Sequence, residues 1–111
     1  MEPTFETRTT GSWTVVNVQG ELDLSTSAAL RAAVEGTASG AQAPRVAVDL
    51  TGVTFMDSSS LGVLVACLKE IGDRGGEMRL VGVSGSPAKV IALTGLDAAF
   101  TIDDSVDDLP A

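Results

Sequence analysis

A single α/β domain with a mixed, mostly parallel sheet is the fold class that three features of the sequence predict. Runs rich in β-branched residues alternate with runs rich in helix formers, the pattern of strand–helix–strand units. Two strand-like runs open the chain with only a short turn between them, which marks an N-terminal hairpin. The 111 residues suit one compact domain, and no linker or internal repeat divides them. The domain is therefore expected to span residues 1–111.

Each element has its own signal. Phe5 to Arg8 reads as a short edge strand and Gly11-Ser12 as a turn. Trp13-Thr14-Val15-Val16-Asn17-Val18 is β-branched and partly alternating, so a second strand follows until Gly20 breaks it. Ser25 or Thr26 caps a helix running to about Glu35, with an interior from Ala28 to Val34 rich in strong helix formers. Gly36 to Pro44 is small, polar and irregular, a loop. Arg45 to Leu50 is nearly continuous apolar, as central parallel strands are.

A second helix begins near Ser58. Leu61, Leu64, Val65, Leu68 and Ile71 recur at helical spacing and mark its core face. Gly72 to Gly76 ends it, and Glu77 to Val83 is the next strand, with Met78 and Leu80 on one face. Ser86-Pro87 starts a third helix, because a proline at the first helical position loses no needed N–H; that helix stops at Gly95. Phe100-Thr101-Ile102 is a short last strand, and Asp103-Asp104-Ser105 opens a short final helix ending near Pro110. About four helices are expected, with right-handed crossovers joining the parallel strands.

Composition narrows the function. Apolar residues make up 44% of the chain, enough to bury a core, and the core is mostly aliphatic because only Phe5, Trp13, Phe55 and Phe100 are aromatic. Fifteen acidic residues against seven basic give a net charge of −8, which argues against nucleic acid and anionic membrane and fits a partner with a basic surface. No apolar run approaches membrane-spanning length and Met-Glu-Pro-Thr carries no signal-peptide pattern, so a cytoplasmic protein without membrane insertion is expected. The lone Cys67 forbids an internal disulfide and, within an apolar helical run, reads as a small buried residue.

The segment Phe55-Met56-Asp57-Ser58-Ser59-Ser60-Leu61-Gly62 carries the chemistry. It places three hydroxyls and a carboxylate where a strand hands over to a helix. The first amides of that helix lack internal partners and the dipole there is positive, so a phosphate is tolerated. On spacing alone Ser58 reads as a helix N-cap, Asp57 as an exposed loop carboxylate, and Ser59 and Ser60 as solvated first-turn residues.

The order of motifs resembles the STAS domain family, and within it the bacterial anti-sigma factor antagonists. The resemblance rests on Gly20-Glu21-Leu22-Asp23, on Val48-Asp49-Leu50 with Val53-Thr54-Phe55-Met56-Asp57-Ser58-Ser59, and on Leu61-Gly62-Val63-Leu64. It continues through Gly75-Gly76-Glu77-Met78 and Thr94-Gly95-Leu96. It implies a STAS-type fold and a protein that is not an enzyme. In such a protein, the serine after the motif aspartate, here Ser58, is phosphorylated by an anti-sigma factor that is also a serine kinase. The unphosphorylated form binds that kinase and frees a sigma factor; a phosphatase acting on phosphoserine resets the switch. Glu21, Asp23, Asp57, Ser59 and Ser60 are the implied partner-binding residues. The family usually has glycine where Ser60 stands. The alternative within the family is a scaffold or regulatory module, in a stress-sensing complex or beside a transporter, without a phosphoswitch.

Other classes fit less well. A serine hydrolase is suggested only by Gly82-Val83-Ser84-Gly85-Ser86, an incomplete nucleophile elbow, and the chain has no histidine to serve as its base. An acyl carrier protein is all-helical, against abundant strand patterns here. A response-regulator receiver needs an early acidic pair for magnesium, which the first plausible strand does not supply. Asp103, Asp104, Asp107 and Asp108 read as a solvated face without calcium-loop spacing, so no metal is expected. No phosphate-binding glycine loop is present either, so no cofactor is expected and ATP and magnesium come with the partner kinase.

Overall fold

A computed structural model describes residues 2–38, 40 and 42–111. Among the described residues five strands form one sheet: β1 (Thr4–Thr10), β2 (Trp13–Leu22), β3 (Arg45–Met56), β4 (Glu77–Val81) and β5 (Thr101–Asp103), in the order β1-β2-β3-β4-β5. The β1–β2 hairpin is antiparallel, and every other pair is parallel. Helices α1 (Ser27–Ala38), α2 (Ser58–Asp73) and α3 (Gly85–Thr94) connect the parallel strands in turn. Among the described residues the rest of the helical structure is three single 3₁₀ turns, at Leu24–Thr26, Leu96–Ala98 and Val106–Asp108. The expected fourth helix is the last of these turns: Asp103 stays in β5, and Ser105 accepts from the Asp107 amide at 3.1 Å to cap it. No helix among the described residues is long and apolar enough to cross a membrane.

The period-two alternation of the strands sorts side chains onto two faces. Val16 and Val18 of β2, Val46, Val48 and Leu50 of β3, and Met78 and Leu80 of β4 face the helices. There they meet Leu30 and Val34 of α1, Leu61, Leu64, Cys67 and Ile71 of α2, and Ile91 of α3. The intervening residues Trp13, Val15, Ala47 and Val81 form a smaller cluster on the opposite face, under Val106 and Leu109 of the C-terminal segment. The Trp13 indole N–H donates to the Pro110 carbonyl at 2.7 Å, and the Arg45 guanidinium lies 4.3 Å from the centre of its ring. Burial of these apolar side chains, worth about 1.5–3 kcal/mol each when complete, supplies the main drive for folding.

β3 runs six residues past the expected end at Leu50. Its register against β2 slips twice: Asn17 pairs with Asp49 but Gln19 with Gly52, and Gly20 pairs with Val53 but Glu21 with Phe55. Each slip inserts one extra residue into β3, a β-bulge, and breaks the alternation by which a strand is read. On the partner strand Gly20 adopts φ +102°, a conformation that a β-carbon makes costly. The bulges return Val53 and Met56 to the core, although an odd step of three positions along the strand would set them on opposite faces.

The turn from α2 into β4 is held by close approach. The Glu77 amide donates to the Pro44 carbonyl at 2.8 Å, and a β-carbon on Gly76 would lie 2.2 Å from that same oxygen. Glycine is the residue that fits. Gly95, at φ +73°, closes α3 where the sequence predicts its end.

Candidate functional site

The site lies at the C-terminal ends of β2 and β3, where two helical segments begin side by side. The Asp57 amide donates to the Leu22 carbonyl at 3.1 Å, which ties the two strand ends together. Beyond Leu22, Asp23 caps the 3₁₀ turn that leads into α1. Its carboxylate accepts from the Thr26 amide at 3.2 Å and the Ser25 hydroxyl at 2.6 Å, and its own amide donates to Thr26 Oγ1 at 2.9 Å. The cap is thus Asp23, in place of the Ser25 or Thr26 that the sequence predicts. The Ser25 hydrogen bond, then those of Thr26, hold the Asp23 carboxyl below its ordinary value against the opposing cost of burial.

Asp57 does the same for α2. One carboxylate oxygen accepts from the Ser60 amide at 3.1 Å and the Ser59 hydroxyl at 2.6 Å. Burial alone would raise its pKa, but the hydrogen bonds from Ser59 and Ser60 outweigh that and leave it lowered. The N-cap is therefore Asp57, and the reading of Asp57 as a plain solvent-exposed carboxylate gives way to a capping one. Ser58 occupies the first helical position instead of the cap.

The three serines diverge. The Ser58 side chain is exposed, and among the described residues its hydroxyl has no protein hydrogen-bond partner. Ser59 is half-buried, donating to Asp57 and accepting weakly from Ser27 Oγ at 3.5 Å. Ser60 is fully buried and reaches the Asp23 carbonyl at 3.4 Å. Its expected place among the surface residues that meet a partner is corrected by this burial: the hydroxyl faces the seam between the two helical starts. A side chain of this size fills the place where a glycine leaves a gap, and its one polar atom has a partner.

Glu21 is exposed near the end of β2, paired in the sheet with Phe55. Phe55 at 45% and Leu24 at 76% exposure add apolar surface in the two segments that flank Ser58. Leu24 is a site residue that sequence reasoning misses; its signal is an apolar residue immediately after a capping aspartate, inside the first turn. Behind the loop, the Ser86 hydroxyl accepts from the Met56 amide at 3.0 Å and so anchors the start of α3 to the end of β3.

The arrangement offers one free hydroxyl at the positive end of a sixteen-residue helix, above a framework in which every other nearby hydroxyl is engaged. Among the described residues no cluster of acidic or thiol side chains is arranged to hold a metal ion.

A family model for the STAS domain matches residues 4–109, and the chain belongs to that family. It is similar to the anti-sigma F factor antagonist of Paenibacillus polymyxa, 32% identical over 91 residues that cover 82% of this chain and 78% of the relative. Among solved structures it is similar to an anti-sigma factor antagonist from Mycobacterium paratuberculosis, with a TM-score of 0.84 and 30% identity over 96% of this chain and 90% of the other. The fold is also that of the anti-sigma factor antagonist SpoIIAA, solved unphosphorylated (TM-score 0.76, 23% identity, covering 95% of this chain and 91% of that one) and phosphorylated (TM-score 0.71, 24% identity, 95% of each).

Proposed function

We propose that this protein is an anti-sigma factor antagonist switched by phosphorylation of Ser58. The unphosphorylated form binds an anti-sigma factor that is also a serine kinase, and that binding frees a sigma factor. The observation that carries the reading is the Ser58 hydroxyl, exposed and, among the described residues, without a protein partner at the start of α2, beside neighbours whose hydroxyls are committed. The names of its relatives, and a fold shared with an antagonist solved in both phosphorylation states, support the same reading.

The switch acts on binding and leaves the fold in place. Phosphate adds nearly two negative charges to Ser58. The unpaired amides of the first turn favour an anion there, while the Asp57 carboxylate opposes it. These effects offset within the domain. At an interface they do not, because a surface that buries a neutral hydroxyl beside Leu24 and Phe55 must then desolvate a dianion. In this reading Asp23, Asp57 and Ser59 position the serine, Glu21 faces the basic surface of the partner, and Ser60 acts from below. ATP and magnesium belong to the kinase, a phosphatase restores the hydroxyl, and the cycle runs in the cytoplasm.

The test is phosphosite mapping by mass spectrometry on protein from its native cells, paired with pull-down of partners by wild type, Ser58→Ala and Ser58→Asp. Phosphate on Ser58, with the partner retained by the alanine variant and lost by the aspartate variant, is the expected result. An unmodified Ser58 across growth and stress conditions, with equal binding by both variants, would favour the scaffold module.

A further inference from the structure

We infer that the free edge of β1 is a self-association surface, which pairs two copies of this chain antiparallel about a two-fold axis through Thr7. β1 stands at one end of the sheet, and most of its residues are exposed. Edge strands of soluble proteins are usually blunted by an internal proline, a bulge or a blocking lysine. None of these occurs between Thr4 and Thr10, and the pairing of β1 with β2 is unbroken over all seven residues.

The sequence of the strand is complementary to itself when reversed. An antiparallel pair centred on Thr7 sets Glu6 opposite Arg8 of the second copy and Arg8 opposite its Glu6. It also sets Phe5 opposite Thr9 and Thr4 opposite Thr10. Directly opposed residues of antiparallel strands share a face, so both pairs of opposite charges meet on the face away from the helices. Neither Glu6 nor Arg8 has an ion-pair partner among the described residues.

The backbone agrees with this centre. Thr10 pairs with Trp13 across the two-residue turn Gly11-Ser12, with Gly11 at φ +59°. A closing pair of this kind is hydrogen-bonded, so by alternation Arg8, Glu6 and Thr4 also aim their backbone groups at β2. The N–H and C=O groups of Phe5, Thr7 and Thr9 are then left for the open edge. A two-fold at Thr7 matches those three residues with their own counterparts. It puts Glu6 and Arg8 in the non-hydrogen-bonded pairs, where side chains approach most closely. A shift of the axis by one residue keeps the same backbone groups at the seam but sets Glu6 or Arg8 opposite its own copy, like charge against like. The net charge of −8 on each copy opposes association, but at physiological salt repulsion between charges more than about 8 Å apart is largely screened, while the Glu6–Arg8 pairs across the seam lie within that distance. The closed two-fold uses the same strand from both copies, so it yields a dimer and no filament. Because the two β1 strands pair antiparallel to each other, the two Ser58 sites fall at opposite ends of the joined sheet.

Analytical ultracentrifugation at up to ~1 mM chain and physiological salt tests this. Wild type is expected to show a reversible monomer–dimer equilibrium. Glu6→Arg and Arg8→Glu, each made alone, set like charges against each other twice and should weaken the dimer by about tenfold or more. The doubly swapped variant should recover it, and an equimolar mixture of the two single variants should form the heterodimer in preference to either homodimer, read by native mass spectrometry. Circular dichroism checks that these exposed substitutions leave the fold intact. A wild type that stays monomeric throughout overturns the proposal, and so does a dimer indifferent to the swaps or single variants that fail to pair with each other.

Discussion

Asp57 holds the start of α2 with one carboxylate oxygen, and its removal should be felt as a lost cap. Asp57→Ala is expected to lower stability by about 1 kcal/mol in urea denaturation at neutral pH. The pH dependence has a definite sign. The folded pKa lies below the ordinary value of 3.8, so this stabilisation is full above that value and fades as pH falls through the lower folded one. Wild type and variant should therefore differ at neutral pH and converge in acid. Cys67 behaves oppositely: burial first, then Glu35 and Glu70, push its thiol up to about 11. A thiol reagent at mildly alkaline pH should label it slowly in the native protein and promptly in denaturant; fast native labelling would contradict the packing of α2. The burial of this residue is legible in the sequence, because an apolar helical run surrounds it. The three serines are not separable in the same way, since they look alike on paper. Each step along a helix turns about 100°, and two steps carry the chain from exposed Ser58 to buried Ser60. The clue lies in the spacing: Ser60, Leu64, Cys67 and Ile71 recur along one helical face.

At the scale of elements, that rotation gives a paired prediction. Ser58→Leu places an apolar side chain in solvent and should change thermal stability by less than about 0.5 kcal/mol. Ser60→Leu forces the same side chain into the seam beside Asp23 and should cost about 1–3 kcal/mol. Equal effects would mean that the start of α2 is not packed as described. The strands teach a complementary lesson. β2 and the first half of β3 are readable because alternation and continuous apolar runs survive there. The second half of β3 is not, because two bulges shift its register and Thr51, Thr54 and Phe55 point outward where a regular strand would bury alternate residues. The motif can still be located, because a strong helix comes directly after it. That its preceding residues form a strand, stiffly joined to β2, depends on pairings distant in sequence, such as Gly20 with Val53, that no local pattern reports.

For the molecule as a whole, the sheet separates two regions. The helices and the Ser58 site belong to one face and one end. The C-terminal segment closes the other face at the opposite end, where Trp13 donates to Pro110. Trp13 and Leu22 stand at the two ends of the ten-residue β2, a span of about 30 Å in extended chain. Trp13 is the chain's single tryptophan and is 1% exposed. The protein thus contains its own optical reporter. Its emission should be that of a shielded indole, poorly quenched by iodide, and should shift to the red when residues 106–111 detach. Phosphorylation of Ser58 should leave the spectrum unchanged, so a red shift on modification would reveal coupling between the two ends. For studies of partner binding the same separation has a practical meaning: the Trp13 emission is expected to stay unchanged for any complex formed at the Ser58 end, where a dye would have to be placed to see it.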